Sequence, residues 1–459
     1  MDATPMPRHT ARRSRAAFCA AAFALALLTA APARADWLQP DPSYREAQML
    51  LRAAIRDTLH HAGDAVRLDS LGISLLRLGR FDDAAPIFER ALALDSQDPI
   101  ALAGLGKIAL FRSDLERALP LLEAAAKIDD AALGDLFAAR VRAGQFEAAA
   151  DMAADVNQQG REEMLRRMAG TELYQMSASK PVIELRWRRA YPVPLVRVRL
   201  NGRVMLMAVD TGASGLLVDD SAARLANVEP MAYDALTFWS GSRQAVRNAM
   251  VQKLQLGDLE VRNVPAGIIS LRRWSLEVNP RGERVAGVIG LELLRRFTPT
   301  LDYAEQKLIL RRDDAPWQRP PGALAAPFEI WGENELTVYG SLAGGRRMAM
   351  VVQSGVPNCG VGAPREVMEE IGVRPGAVAK LVKGAGQWLQ GVPWAPVTVP
   401  SVSVGPMVES NVPGWQGALA SSEIWRHGVR RDALISHDFF KDKAVTIDWK
   451  SRELVFEQR

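Results

Sequence analysis

Asp210 closes an apolar run, Val204-Met205-Leu206-Met207-Ala208-Val209, and opens the stretch Thr211-Gly212-Ala213-Ser214. A carboxylate at the end of such a strand has a buried base and is held in a constrained, partly desolvated position. Ser214 lies close enough in sequence to hydrogen-bond its outer oxygen. The surrounding segment recurs. Gly202 to Gly212 aligns without a gap on Gly345 to Gly355, an offset of 143, with Gly, Arg, two Met, Val and Gly in common. A second block follows at offset 146, where Ile289-Gly290-Leu291-Glu292 matches Ile435-Ser436-His437-Asp438 and Thr300-Leu301-Asp302-Tyr303 matches Thr446-Ile447-Asp448-Trp449. Order and separation agree, so the chain carries two copies of one fold.

The copies differ where the chemistry sits. Gln353 stands at the position of Asp210, Ser354 at that of Thr211, and Ser436 at that of Gly290, while Gly355 matches Gly212. An amide neither accepts nor releases a proton at ordinary pH, although it can hold a water or a carbonyl by hydrogen bonds. Asp438 and Asp448 do not replace the missing carboxylate, because they align with Glu292 and Asp302. His427 and His437 have no spacing that suggests a metal or a nucleophilic triad, so no metal or cofactor is expected. Cys359 has no adjacent His or basic residue and reads as a small buried side chain.

An apolar strand running into Asp-Thr-Gly-Ala-Ser, with Val288-Ile289-Gly290 about 80 residues on, resembles the aspartic peptidases. The likeness is to their retropepsin-type lobe, over roughly residues 190–312 and more faintly 325–457. It implies that Thr211 reaches across the lobe interface and that Gly212 lets the backbone approach a partner aspartate. Ile289 and Gly290 would then back the active loop. Tyr233, Trp239 and Ser240 fall where the family places its flap. Family catalysis uses two aspartates sharing one proton, one acting as base toward water and the other polarising the peptide carbonyl. With Gln353 in the second lobe, three outcomes stand open. Two chains could form a homodimer with an Asp210–Asp210 dyad. The lobes could close within one chain as a weak enzyme or a peptide-binding pseudoprotease. Asp210 could also be a relic. The leading expectation is an aspartic-type endopeptidase acting through Asp210.

Positioning these residues requires strands, and the sequence supplies them after Ser177. Val182 to Trp187 and Leu195 to Leu200 alternate apolar and polar residues, and Asn201-Gly202 is a two-residue hairpin signal. Pro316 to Pro327, with four prolines, reads as a linker between lobes. Upstream, residues 45–175 have helical spacing and a 34-residue period. Leu71-Gly72, Gly79, Phe81, Ala84, Phe88 and Ala91 recur as Leu105-Gly106, Ser113, Leu115, Ala118, Leu122 and Ala125. This resembles the tetratricopeptide repeat. Such a solenoid either binds a peptide or partner protein, positioning substrate, or serves as a structural cap.

The expected architecture is therefore an all-α solenoid (45–175) followed by two all-β lobes (180–313 and 325–459). Residues 1–35 read as a signal peptide. Arg12, Arg13 and Arg15 precede an apolar run from Ala16 to Ala31, and Ala33-Arg34-Ala35 offers a cleavage site. The run is short beside the about 20 residues of a bilayer span, which favours export to the periplasm over an uncleaved anchor. The whole chain has a net charge of +4. That excess lies in the leader, the remainder holding 52 basic and 52 acidic residues. A nucleic-acid partner is not expected, and a peptide or protein substrate is.

Overall fold

The computed structural model describes residues 42–61, 63–189, 192–237, 243–279, 282–315, 317–376, 394–420 and 423–458. The leader and the flap residues Trp239 and Ser240 lie outside these.

Among the described residues eight α-helices come first: α1 (Tyr44–His60), α2 (Ala65–Arg77), α3 (Phe81–Leu94), α4 (Pro99–Phe111), α5 (Leu115–Ala126), α6 (Leu133–Arg142), α7 (Phe146–Asp155) and α8 (Gln159–Ala169). The 34-residue period is a repeated contact. The Phe88 ring of α3 lies so close to Gly72 of α2 and Gly104 of α4 that a Cβ at either glycine would overlap it. One repeat later Leu122 fills the corresponding place against Gly106, whose Cβ would lie 2.7 Å from Leu122 Cγ. Starts are capped where the sequence allows it: Asp98 accepts from Ile100 and Ala101 N–H ahead of Pro99 at the first turn of α4.

The first β lobe contains β1 (Gln175–Ser177), β2 (Val182–Arg189), β3 (Leu195–Leu200), β4 (Arg203–Val209), β5 (Leu216–Asp219), β6 (Pro230–Thr237), β7 (Arg243–Leu256), β8 (Leu259–Ile269), β9 (Val285–Ile289), β10 (Thr298–Asp302) and β11 (Lys307–Arg311). Short helices α9 (Asp220–Leu225), α10 (Arg272–Val278) and α11 (Leu291–Leu294) interrupt it. The second contains β12 (Leu324–Trp331), β13 (Glu335–Leu342), β14 (Met348–Val352), β15 (Val361–Ala363), β16 (Ala395–Val404), β17 (Met407–Gln416), β18 (Ala433–Ile435), β19 (Lys443–Asp448) and β20 (Glu453–Gln458), with α12 at Arg365–Glu370. Asn201 and Gly202 both take positive φ, 44° and 86°, closing the β3–β4 hairpin as two-residue turns of this kind require. The end of the Pro-rich segment is not a linker. Leu324 to Pro327 already pair with β20 as the start of β12, and Pro327 sits at the last rung of that ladder.

A shared sheet joins the lobes in the order β2-β11-β10-β19-β20-β12. At its centre β10 and β19 run antiparallel, and Thr300 faces Thr446 with their hydroxyls 2.7 Å apart. These residues coincide in the internal alignment, so the duplicated copies meet on a pseudo-twofold axis.

The solenoid is seated on the second lobe. Trp331 at the end of β12 is fully buried among helical residues, stacked on Phe111 at 5.1 Å between centroids and edge-on to Phe81 at 6.1 Å. Ala349 and Val429 join the same apolar cluster. Arg142 of α6 donates to the carbonyls of Leu110 and Ile330 at 2.7 and 2.9 Å, and burial pulls its pKa down to about 9. The two turns following α2 and α4 therefore form a docking edge for the β domain. Cys359 lies fully buried beside Val356, Ala418 and Leu434, and burial pushes its thiol pKa well up.

Candidate active site

Each active loop is built by the same two parallel strands. In lobe one β4 runs beside β9, with Val209 opposite Ile289, and Asp210 N–H donates to the Ile289 carbonyl at 3.0 Å. In lobe two β14 runs beside β18, and Gln353 N–H donates to Ile435 at 2.8 Å. The apolar runs are required because all five residues of β9 and of β14 are buried.

Gly290 is where the first loop needs a missing side chain. A Cβ there would overlap the carbonyls of Gly215 and Ala213. The turn after it then grips the loop, with Leu291 and Glu292 N–H donating to Ala213 and Ser214 carbonyls at 2.7 and 2.8 Å. In lobe two the loop from Gln353 to β15 is longer, so Ser436 fits at this position. Its hydroxyl donates to the Val356 carbonyl at 3.2 Å.

Across the axis Thr211 and Ser354 make four hydrogen bonds. Thr211 N–H donates to Ser354 Oγ at 3.0 Å, and Ser354 N–H to Thr211 Oγ1 at 3.1 Å. The hydroxyls donate onward, Thr211 to the Val352 carbonyl at 2.9 Å and Ser354 to the Val209 carbonyl at 3.2 Å. Ser354 thus carries out the same pairing as a threonine, and the substitution costs the network nothing in donors. Both residues are buried, so Thr211→Val leaves Ser354 N–H without an acceptor. The expected loss is about 1–3 kcal/mol of stability, read as a drop in denaturation midpoint at unchanged m-value.

Asp210 and Gln353 flank the axis from opposite sides. Gly355 lies against the Asp210 carboxyl group, and a Cβ at Gly212 would lie 2.6 Å from Gln353 Cγ. Two N–H groups, from Gly212 at 2.8 Å and Gly355 at 2.9 Å, converge on Asp210 Oδ1. These donors, one from each lobe, orient the carboxylate. The Ser214 hydroxyl does not: Ser214 is exposed and its carbonyl is what holds the loop. Burial raises the Asp210 pKa to about 6, with the two N–H donors pulling in the other direction. Gln353 is buried, and its Oε1 has no hydrogen-bond partner among the described residues.

The position opposite Asp210 is therefore filled by the same chain. An Asp210–Asp210 pair from two copies would require these lobes to part and the crossing hydrogen bonds to break, those of Thr211 and Ser354 and that from Gly355 N–H to Asp210 alike. What the pair can do is limited by proton count. Asp210 can take up or release a proton near pH 6, and Gln353 offers one donor group and one acceptor to a bound carbonyl or N–H. Of the flap residues, Tyr233 lies on β6, paired with Arg247 of β7, and its side chain is exposed. His437 is fully buried, its pKa lowered to about 3 by burial, and plays no part in the cleft. Among the described residues no group of His, Cys, Asp or Glu could hold a metal. Sequence reading missed the Gly355 N–H as a ligand of Asp210, although its coincidence with Gly212 in the internal alignment marked the position.

Residues 196–293 match the family model described as aspartyl protease, and residues 70–132 match the tetratricopeptide repeat. Basic 7S globulin from soybean is similar over 62% of this chain and 95% of its own, at 11% identity and a TM-score of 0.35. A retropepsin-like aspartic protease from Rickettsia conorii covers 31% of this chain and 96% of its own, at 16% identity and a TM-score of 0.21. No curated protein matches the chain closely enough to stand as a relative.

Proposed function

We propose that this chain, which carries a retropepsin-like aspartyl-protease domain behind N-terminal tetratricopeptide repeats, binds extended peptide or protein segments between its β lobes without two-aspartate hydrolysis. The peptidase-like domain sets the class of ligand. The observation that carries the reading is Gln353 opposite Asp210 inside one chain. Two-aspartate hydrolysis needs a second group that gives and takes a proton, and an amide cannot. An unpartnered Gln353 Oε1 suits a peptide N–H, and Asp210 below pH 6 can donate to a peptide carbonyl.

A second reading has one observation in its favour. Asp210 titrates near 6 and is held by two N–H donors, so above that pH it is placed to act as a lone general base in slow endopeptidase chemistry. The two readings part in a single comparison. Fluorescein-labelled, unfolded casein should bind the parent protein with little or no cleavage between pH 4 and 8. Cleavage abolished by Asp210→Asn would instead establish the endopeptidase. Absence of binding to both forms would remove the cleft reading.

The Asp210 charge also leaves a stability signature. Its folded pKa lies above the unfolded value near 3.8, so the stability it allows is complete below that value and declines as pH rises through 6. Asp210→Asn should therefore raise the melting temperature at pH 8, by an effect of about 3 kcal/mol, and change it little at pH 4. For location, the leader residues support export to the periplasm. The repeats are read as support for the β domain, since their turn edge is already occupied by Trp331.

A further inference from the structure

We infer that α8, the last helix of the repeat domain, straps down the β6–β7 hairpin, making Gly160 and Arg161 positioning residues for the cleft of Asp210 and Gln353. The assignment to a ligand cleft rests on the reading above; the strap itself does not.

Gly160 is the second residue of α8, and its backbone lies directly on the Tyr233 backbone of β6. A Cβ there would overlap the Tyr233 carbonyl, so no residue but glycine permits this approach. The other strand of the hairpin reaches the same point. Asn248 of β7, itself buried, donates its side-chain N–H to the Gly160 carbonyl at 3.2 Å. Both strands of the hairpin are thus held to one helical residue. Tyr233 is 75% exposed, so the hold is through its backbone and not through an aromatic pocket.

The next residue carries the connection to lobe two. Arg161 pairs with Glu333 in the β12–β13 turn, and its guanidinium lies 5.4 Å from the Phe137 ring centroid. The neighbouring charge of Asp234 on β6 favours the same ionised state. Asn334, beside Glu333, donates to Glu292 at 2.6 Å and accepts from Arg295 at 2.8 Å. Those two residues follow Gly290 in the segment that grips the active loop. One helical turn therefore contacts the hairpin from lobe one and a turn from lobe two that is tied to the active loop. A cavity of about 550 Å³, lined in part by Asn157, Gln159, Tyr233 and Glu333, lies beside the junction. Moving the hairpin away from α8 requires the Gly160 contacts to open, and the Arg161–Glu333 pair resists the helix moving with it.

Hydrogen–deuterium exchange on the full chain without ligand tests the strap. In Gly160→Val, amides of 231–237 and 244–250 should exchange about tenfold faster, while those of the β3–β4 hairpin keep the parent rate. Arg161→Met should give the same localised change at smaller amplitude. Fluorescein-labelled casein should then associate and dissociate faster with little change in melting temperature. Hairpin exchange that stays at the parent rate in folded Gly160→Val would overturn the strap, as would acceleration spread evenly over both lobes. Should Gly160→Val not fold, Arg161→Met and Asn248→Ala decide the matter by the same readout. Casein that fails to bind the parent refutes the cleft reading and leaves the exchange result standing.

Discussion

Replacing Gln353 by Asp is expected to turn the cleft into a peptidase, raising cleavage of unfolded casein about 10²–10⁴-fold over the parent chain. The scaffold for a second carboxylate is already in place. Gln353 leaves a strand register equivalent to that of Asp210, its N–H is held by Ile435 as that of Asp210 is by Ile289, and each side chain lies against the glycine of the opposite loop. An aspartate there, one carbon shorter than glutamine, places its carboxyl facing Asp210. Two such groups cannot both ionise at close range, so they share a proton and titrate as a pair. The gained activity should show a bell-shaped pH profile whose limbs belong to that pair. Adding Asp210→Asn to this variant should return cleavage to the parent level. A folded Gln353→Asp variant with no gain would show that the missing proton is not what silences the site. The variant should also lose stability as pH rises through the upper of the pair's two apparent pKa values, which the neighbouring charge raises above the unfolded value.

Trp331→Ala carries the largest expected structural effect. The indole is fully buried, stacked on Phe111, edge-on to Phe81, and donates its N–H to Glu329 at 2.9 Å. Its removal leaves a large cavity in an apolar cluster shared by repeats and lobe two, at a cost of about 3–5 kcal/mol. The Glu329 carboxylate also loses a donor in a buried place. Thermal unfolding followed by far-UV circular dichroism should change from one transition to two, with the helical signal melting first. A single transition shifted as a whole would mean that Arg142 and the other crossing contacts suffice to couple the parts.

The sequence made these parts legible to different extents. The lobe could be read because its active strand must be apolar on both faces and must end in a small-residue turn, and both demands fall on consecutive residues. The duplication could be read for the same reason, and it anticipated contacts as well as topology. Thr211 meets Ser354, and Thr300 meets Thr446, because residues equivalent under a twofold relation lie at equal distances from its axis. The repeats were legible through Gly72 and Phe88, whose contact recurs at Gly106 and Leu122. Hidden in the sequence was the docking of solenoid on lobe. Trp331 looks like any aromatic at a strand end, and nothing local says that its partners lie more than two hundred residues upstream. Gly160 was silent for the same reason: a glycine near a helix start is ordinary until another backbone is found against it.

What the residues alone determined is the pair of active loops and the absence of a second carboxylate, since both are properties of short contiguous segments. Tertiary structure decided what faces Asp210. That depends on which surfaces close over which, a choice governed by the sheet shared between β10 and β19 and by the four hydrogen bonds between Thr211 and Ser354 strands. Those contacts join residues more than 140 positions apart, where no local pattern can specify the partner.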